Sequence, residues 1–361
     1  MYSQKSTINN AVYSTKYTSQ GVLVGGLFDA VGEIEVNRLV KLDSSGNLDL
    51  SFNASGRVDS TVYDVEQSAK YIYVGGAFGL LRLSLDGRLD EEFQTDKIKG
   101  SVYQIALADE GIYLAGDFKL GDEGAQRNIA RLNYDGSVDD SFELLDSPDA
   151  PVYSVLTGHD SILIAGSFVT VNGYSSRRIA SLNKDGSNND RFHIGFGFDK
   201  VVRNLKRRRD GKILVSGAFE RWNDRPANRI ALLEPDGRLA SNRFNLLKLN
   251  GAVYSVDEMP GKLFAFGGSF EATDDSPYNA LGVVQAFSSP LPPELALSHT
   301  DEGSLLTVSS TPYRSHVVEY SVDLINWVSI SNNKTDSNGE FTLGIDVMRY
   351  KSQYFRAIMT E

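Results

Sequence analysis

The sequence contains no cysteine, which excludes disulfide bonds, thiolate metal sites and a cysteine nucleophile. It also has no apolar run near the roughly 20 residues that a membrane-spanning helix requires, so we predict no membrane insertion. The first ten residues, MYSQKSTINN, lack the apolar core of a secretory signal. Two alternatives follow: the protein is used without that export route, or a signal has been removed.

Positive charge is in deficit, with 36 Lys and Arg against 47 Asp and Glu and a net charge of −11. A protein this acidic is a poor candidate for binding nucleic acid or anionic membranes. Its only basic run, KRRR at residues 206–209, is predicted to be a solvated turn. The alternative is that this run docks against an acidic neighbouring subunit.

The strong catalytic signatures are missing as well, since the sequence has no HExxH, GxSxG or P-loop motif. The four histidines share no common spacing, so packing or surface roles are favoured over a metal site; they are His159, His193, His299 and His316. We predict that the protein is not an enzyme and uses no cofactor.

What the sequence does have is a unit that recurs six times. A Gly-x-Phe closes its second predicted strand, and the steps between the phenylalanines are 50, 40, 50, 51 and 51 residues. These are Phe28, Phe78, Phe118, Phe168, Phe219 and Phe270. A period of this size indicates a solenoid or a propeller, and four short strands per unit without helical periodicity favour the β-propeller.

Each unit opens on a valine followed by an aromatic residue or a second valine. The pairs are Val12-Tyr13, Val62-Tyr63, Val102-Tyr103, Val152-Tyr153, Val201-Val202 and Val253-Tyr254. Five units also carry an Asp…Gly turn, which predicts two-residue hairpins with positive φ at both central residues. The turns run from Asp43 to Gly46 and include Asp86-Gly87, Asp135-Gly136, Asp185-Gly186 and Asp236-Gly237.

The sixth unit lacks this turn and its fourth strand. Tyr2 precedes Val12 by ten residues, which is the offset at which Phe52 precedes Val62. We therefore predict that residues 1–6 supply the outer strand of the sixth blade and close the ring. The predicted domain is a six-bladed β-propeller over residues 1–287.

The recurrent VY, GGxF, RL, DG and SF elements, as in GKILVSGAF at residues 211–219, resemble the delta-sixty repeat, a bacterial β-propeller repeat. The resemblance covers about residues 1–287. It implies a propeller in large, often surface-associated proteins, and it implies no activity. The shared positions are strand and turn positions, so no functional residue is carried over.

The rest of the chain is predicted to form a linker and a second all-β domain. Residues 288–294 (SSPLPPE) hold three prolines that extend the chain and block strand pairing. Residues 295–361 are typical of a small Ig-like or fibronectin-like β-sandwich. Within them, EYSVDLINW at residues 319–327 and YFR at residues 354–356 are similar to C-terminal β modules of large bacterial surface proteins.

Candidate binding residues lie where the repeats differ. The loops between second and third strands vary most, and loops on a rigid scaffold commonly carry recognition. In the fifth unit, Phe196 and Phe198 are predicted to share one sector of that face with Arg221, Trp222 and Arg225. Aromatic faces beside arginine suit a sugar ring or an anionic glycan. The alternative, which the sequence favours, is that the three aromatic residues pack their own loops together.

The aspartate residues of the sequence are candidate ligands for calcium. The repeated aspartates do not meet the EF-hand pattern, and their recurrence favours a role in turns. A better candidate is the loop with Asp274 and Asp275, which is not repeated.

The function predicted from the sequence is a non-catalytic surface recognition module, which presents a face that binds a glycan or a protein receptor. The alternative is a structural or assembly component of a phage tail or another extracellular complex, with homo- or hetero-assembly. A glycan-active enzyme, with paired carboxylates across the propeller channel, comes third. The expected location is extracellular, on a bacterial cell surface or a virion, with a glycan or protein partner.

Overall fold

The computed structural model describes residues 7–54, 58–94, 97–121, 124, 126–241, 244, 247–259, 263–271, 280–285, 294–300, 303–310, 315–321, 328–345 and 354–360. The regular elements in these residues are β-strands, which confirms the all-β prediction. The chain divides into two compact units, one of Met1–Glu258 with Ala265–Val283 and one of Met259–Phe264 with Val284–Glu361. The predicted boundaries at residues 287 and 294 stay predictions.

Each of the six repeats contains an antiparallel sheet. Repeats 1 and 2 contain β1 (Val12–Thr18), β2 (Gly21–Gly26), β3 (Ala30–Val31), β4 (Ile34–Glu35), β5 (Leu39–Leu42), β6 (Val62–Gln67), β7 (Tyr71–Gly76) and β8 (Gly79–Ser84). Repeats 3 and 4 contain β9 (Ile98–Ala108), β10 (Gly111–Leu120), β11 (Ile129–Leu132), β12 (Val152–Thr157), β13 (Ser161–Gly166), β14 (Thr170–Val171), β15 (Tyr174–Ser175) and β16 (Ile179–Asn183). Repeats 5 and 6 contain β17 (Val202–Arg207), β18 (Ile213–Gly217), β19 (Arg221–Trp222), β20 (Arg225–Pro226), β21 (Ile230–Leu233), β22 (Leu239–Ser241), β23 (Val253–Met259), β24 (Leu263–Gly268) and β25 (Leu281–Gln285).

The sheets follow chain order, as in β6-β7-β8, and among the described residues only repeat 5 adds a fourth strand, in the order β17-β18-β21-β22. In repeats 1–4 the predicted fourth strand is reduced to single bridges, such as Leu83 with Leu89 and Leu132 with Val138. The reason is a turn directly after the bridge, where the Phe142 N–H donates to the Asp139 carbonyl and draws the chain away from the sheet. Four full strands per repeat was therefore wrong for these repeats.

The core lies between neighbouring sheets. One cluster joins Leu163 and Ile179 of repeat 4 to Val202 and Val215 of repeat 5, and comparable clusters link the earlier repeats. The second strands of repeats 1 to 5 are buried on both faces, which accounts for their apolar runs of Ile, Leu and Val. The phenylalanines of the Gly-x-Phe motifs pack against this core, and Phe168 is fully buried. Sheets that bury both faces against their neighbours are typical of propeller blades.

The Asp-Gly turns differ from the prediction. The glycines have positive φ, for example 93° at Gly136, whereas the aspartates before them do not. The Gly136 N–H donates to the Asn133 carbonyl at 3.0 Å, and the Asn133 N–H donates to the Ser137 carbonyl at 2.8 Å, which makes a three-residue loop with a glycine bulge. The Asp135 carboxylate accepts the Ser137 N–H at 2.9 Å, so aspartate acts here as a side-chain cap of the turn.

Closure of the ring stays a prediction, because residues 1–6 lie outside the described residues. At the flank of repeat 1, Val12 is 40% exposed, whereas its counterparts in the other repeats are fully buried. In the described part of the chain, every sheet is open and none closes on itself. The six-blade count is a prediction as well.

The second unit holds β26 (Glu294–Thr300), β27 (Gly303–Ser309), β28 (Ser315–Ser321), β29 (Val328–Lys334), β30 (Glu340–Ile345) and β31 (Tyr354–Thr360). They form two three-stranded sheets, β26-β27-β30 and β29-β28-β31, that share a small core of Leu306, Val308 and Val318. The Ig-like or fibronectin-like assignment stays a prediction, and residues 322–327 of its motif lie outside the described residues. None of the described residues belongs to a helix with the length and apolar character needed to cross a bilayer.

Candidate functional site

The structure brings the predicted residues of repeat 5 together through strand pairing. Strands β19 and β20 form a hairpin whose turn residues, Asn223 and Asp224, both have positive φ. The connection entering the repeat pairs with this hairpin, since Phe198 bridges Trp222 and the Asp199 N–H donates to the Arg221 carbonyl at 3.2 Å. The carboxylate of Asp199 also accepts the Arg221 N–H at 3.0 Å. The connection and the hairpin are therefore one structural piece.

Burial separates the three aromatic residues of this piece. Phe198 and Trp222 are 1% and 7% exposed and belong to the core between repeats 4 and 5. The ring of Phe198 lies 4.3 Å from that of Phe219. Phe196, in contrast, is 72% exposed. Two of the three aromatic side chains thus pack their own loops, and the third lies at the surface.

A groove of about 740 Å³ lies beside this hairpin, between repeats 4 and 5. Its lining includes Trp222 and Arg225 from repeat 5, together with Tyr174 and Asn189 from repeat 4. A smaller cavity of about 220 Å³ is lined by Phe196, Phe198 and Arg221, among others, and Asn223 lines both. All five predicted residues therefore line one of these two cavities.

Sequence reasoning missed the contribution of repeat 4. Tyr174 is 65% exposed and starts β15, which occupies the same loop of its repeat as β20 does in repeat 5. A comparison of equivalent loops in neighbouring repeats would have found it.

A side-chain latch, also missed, fixes these loops. An Asp or Asn three residues before the opening valine accepts hydrogen bonds from the N–H groups that start the loop after the second strand. Asp149 accepts from Val169 at 2.7 Å and from Thr170 at 3.1 Å. Equivalent latches are made by Asn9, Asp199 and Asn250. Each loop is therefore tied to the chain entering its own repeat.

A second polar feature lies where the first strands of successive repeats meet. In repeats 1 to 5, a β-bulge follows the opening valine, so that the next residue has no partner on the second strand. Bulges of this kind re-aim a side chain. The bulged residues are Tyr13, Tyr63, Tyr103, Tyr153 and Arg203.

These bulged side chains contact one another in sequence order. The ring centroids are 5.8 Å apart from Tyr13 to Tyr63, 5.1 Å from Tyr63 to Tyr103 and 5.3 Å from Tyr103 to Tyr153. The Arg203 guanidinium carbon lies 4.3 Å from the centroid of the Tyr153 ring. We call the four tyrosines and Arg203 the tyrosine arc.

The arc corrects the predicted pair Val201-Val202. Val202 pairs with Gly217 as Val152 pairs with Gly166, so the opening pair of repeat 5 is Val202-Arg203. An apolar residue was expected where the structure has an arginine.

Next to the arc, side-chain hydrogen bonds join the first strands of repeats 1 to 5, each to the next. The acceptors are side chains two positions after the opening valine: Ser14 accepts from Val65, Gln104 from Val155 and Ser154 from Leu205. Asp64 accepts the Ile105 N–H at 2.8 Å and the Ser14 hydroxyl at 3.0 Å. Burial, with a smaller contribution from the charge of Glu66, outweighs these hydrogen bonds and raises the pKa of Asp64 to about 6.

The basic run is only partly the solvated turn that was predicted. Lys206 pairs with Asp257 at 3.0 Å, and Arg208 pairs with Glu258 at 3.0 Å, both on the first strand of repeat 6. Arg209 is exposed. The run thus holds repeats 5 and 6 together.

For metals, the described residues hold no group of three or more His, Asp or Glu side chains that could bind an ion. The calcium candidates Asp274 and Asp275 lie outside the described residues. Asp139 is one of the repeated aspartates that were considered as calcium ligands. It pairs with Arg131 at 2.7 Å and accepts a hydrogen bond from the Ser141 N–H.

Comparison with known proteins supports the propeller. The family described as "Domain of unknown function (DUF5122) beta-propeller" matches residues 22–52, 108–142, 160–189 and 208–239. Each segment falls within one repeat and spans its second and third strands. These matches support a β-propeller family, while the name delta-sixty repeat remains a resemblance. No curated protein matches the chain.

Three solved structures are similar at low identity. The computationally designed Ika8 protein shares 11% identity over 95% of this chain and 98% of its own, with a TM-score of 0.40. The Pan2 WD40 domain of Neurospora crassa shares 12% over 71% of each chain, with a TM-score of 0.41. The extracellular domain assigned to a hybrid two-component system of B. thetaiotaomicron shares 10% over 91% of this chain and 46% of its own, with a TM-score of 0.44.

Proposed function

We propose that the protein is a non-catalytic recognition module, a six-bladed β-propeller that binds a glycan at a bacterial cell surface or on a virion. The binding site is the groove between repeats 4 and 5. One observation carries this proposal: the groove of about 740 Å³ combines aromatic, amide and guanidinium side chains on latched loops. Aromatic side chains with a polar edge, placed beside arginine, suit sugar rings.

The aromatic side chains have separate duties in this proposal. Trp222 forms part of the groove wall, and its Nε1–H is buried without a hydrogen-bond partner among the described residues. Tyr174 and Arg225 are exposed and are the groups that contact the sugar. Phe196 extends the surface on the side of the smaller cavity.

Closure of the six blades by residues 1–6 belongs to the same proposal. Asn9 latches the Asp29 N–H at 3.1 Å and the Ala30 N–H at 3.1 Å, as Asp149 and Asp199 latch their own loops. Residues 7–11 thus run as a connection between two repeats. This geometry supports a preceding strand, which residues 1–6 supply.

The test is a binding screen of labelled protein against bacterial cells and purified surface polysaccharides. Tyr174→Ala and Arg225→Ala should each weaken saturable binding at least tenfold and leave the melting temperature nearly unchanged, because both side chains are exposed. Tyr17→Ala, which removes an 83% exposed tyrosine from repeat 1, is the matched control and should bind normally.

Equal binding by all three variants would overturn the groove as the site. A stable oligomer that binds no polysaccharide would favour the alternative, a structural component of a phage tail or another extracellular complex.

A further inference from the structure

We infer that the tyrosine arc is a second binding site, which takes the carboxylate group of an acidic monosaccharide unit. The arc shares no residue with the lining of the groove between repeats 4 and 5. The inference therefore stands on its own geometry and does not depend on glycan binding in that groove.

The environment of Arg203 supports an anion site. This half-buried cation contacts the ring of Tyr153, and in the described part of the chain it has no ion pair and no hydrogen bond. Its Nε–H is buried and has no hydrogen-bond partner among the described residues. Arg131, in contrast, pairs with Asp139 at 2.7 Å. Removing a guanidinium partly from water without a counter-charge costs free energy, and a bound anion would offset this cost.

The guanidinium group of Arg203 is planar. The guanidinium carbon lies over the Tyr153 ring, and the N–H groups, which point outward in the plane of the group, make no hydrogen bond in the described part of the chain. A carboxylate matches two such N–H groups at once, which makes this pair shorter and stronger than a neutral hydrogen bond. The planar fork thus favours a carboxylate over a spherical anion.

A row of four tyrosines continues from Arg203. Burial raises the pKa of Tyr103, so its hydroxyl is a neutral donor at physiological pH. The four rings offer apolar faces with hydroxyl edges, the combination that packs against a sugar ring while bonding its hydroxyls. The bulges in successive repeats hold all of these side chains in one continuous row.

The net charge limits the size of the ligand. At −11, the protein repels a polyanion over long range, and one unpaired arginine cannot offset many charges. A saccharide with a single carboxylate is repelled little by the net charge, and one arginine is enough to pair with it.

The experiment titrates full-length protein with glucuronate and with glucose, which has a hydroxymethyl group in place of the carboxylate. Binding is measured by ligand-observed NMR and by the shift in melting temperature. We expect saturable binding of glucuronate, no binding of glucose, and weakening as salt is added. Arg203→Met should weaken glucuronate binding at least tenfold, and Arg203→Lys, which keeps the charge but loses the fork, should weaken it less.

Arg209→Met is the matched control, since it removes an exposed arginine of the neighbouring turn and should leave binding unchanged. Should Arg203→Met not fold, Arg203→Lys and Tyr103→Phe, which removes one donor hydroxyl, give the same comparison. Three results would overturn the inference: no glucuronate binding by the unmodified protein, equal binding by Arg203→Met, or equally tight binding of inorganic sulfate.

Discussion

Replacing Arg131 by methionine tests how the repeats are held together. Arg131 is 5% exposed and makes four polar contacts: with Asp139 Oδ2 at 2.7 Å, Ser141 Oγ at 2.7 Å, the Lys184 carbonyl at 2.5 Å and the Tyr113 hydroxyl at 3.2 Å. The contact with Lys184 reaches from repeat 3 to repeat 4. Methionine fills a similar volume but leaves the Asp139 carboxylate without its cation.

The expected cost is about 3–5 kcal/mol of unfolding free energy, the range for removing one partner of a buried ion pair. The double variant Arg131→Met with Asp139→Leu should recover more than half of this loss, because the stranded carboxylate is then absent. Urea denaturation followed by tryptophan fluorescence gives the free energies, with the slope of each curve checked for two-state behaviour.

The matched control is Arg88→Met. Arg88 is 84% exposed on its side chain and lies 3.3 Å from Asp86, so its loss should cost less than about 0.5 kcal/mol. If Arg131→Met costs no more than Arg88→Met, the reasoning that buried arginines tie the repeats together is refuted. A double variant as unstable as Arg131→Met would show that the stranded carboxylate is not the cause.

Three further predictions concern single positions. The raised pKa of Asp64, about 6, means that its share of stability is fully present below its ordinary pKa of 3.8 and is lost as pH rises through 6. A shift of this size corresponds to about 3 kcal/mol, so in thermal melts across pH Asp64→Asn should be more stable than the unmodified protein by up to about 3 kcal/mol at pH 8 and nearly equal to it at pH 4. A pH-independent difference would contradict this. Phe198→Ala should cost about 3–5 kcal/mol in urea unfolding because the ring is buried, and Phe196→Ala, its exposed neighbour, should cost almost nothing; similar costs would refute the assigned burial. Gly136→Ala should lower the melting temperature by several degrees, since the added Cβ would lie 2.7 Å from backbone atoms of Gln94 at a φ of 93°, and an unchanged melt would argue against this turn geometry.

The sheets could be predicted from the sequence because their reasons are local. Gly26, for example, precedes its Phe28 by two residues, and a Cβ there would lie 2.2 Å from the carbonyl oxygen of Ala11. Such close packing imposes glycine at the same position in all six repeats, and a period becomes visible. The fourth strands were overestimated because their residues have the same apolar spacing whether they form a ladder or a single bridge, as at Leu132 and Val138.

The sequence predicted that the candidate site residues lie close together, but it could not predict which of them are exposed. Phe196 and Phe198 are the same residue type two positions apart, and one is exposed while the other is buried. The difference is made by the bridge from Phe198 to Trp222, a contact between the connection and a hairpin more than 20 residues away. Local sequence carries no signal for such pairing. Tyr174 comes from another repeat and was missed for the same reason.

The opening pair of repeat 5 was predicted as Val201-Val202 and is Val202-Arg203. This error shows why a functional residue of a repeat protein can be missed from sequence. Strand side chains alternate, so a shift of one residue exchanges the core face for the other face, and only the pairing of Val202 with Gly217 fixes the register. The bulge then removes the next residue from the core pattern altogether, which is why an arginine is tolerated there. The four preceding repeats have tyrosine at the position of Arg203. Packing does not require an arginine there, so the fold does not explain this difference. A departure of this kind, outside the core and next to aromatic rings, is the pattern expected of a binding residue.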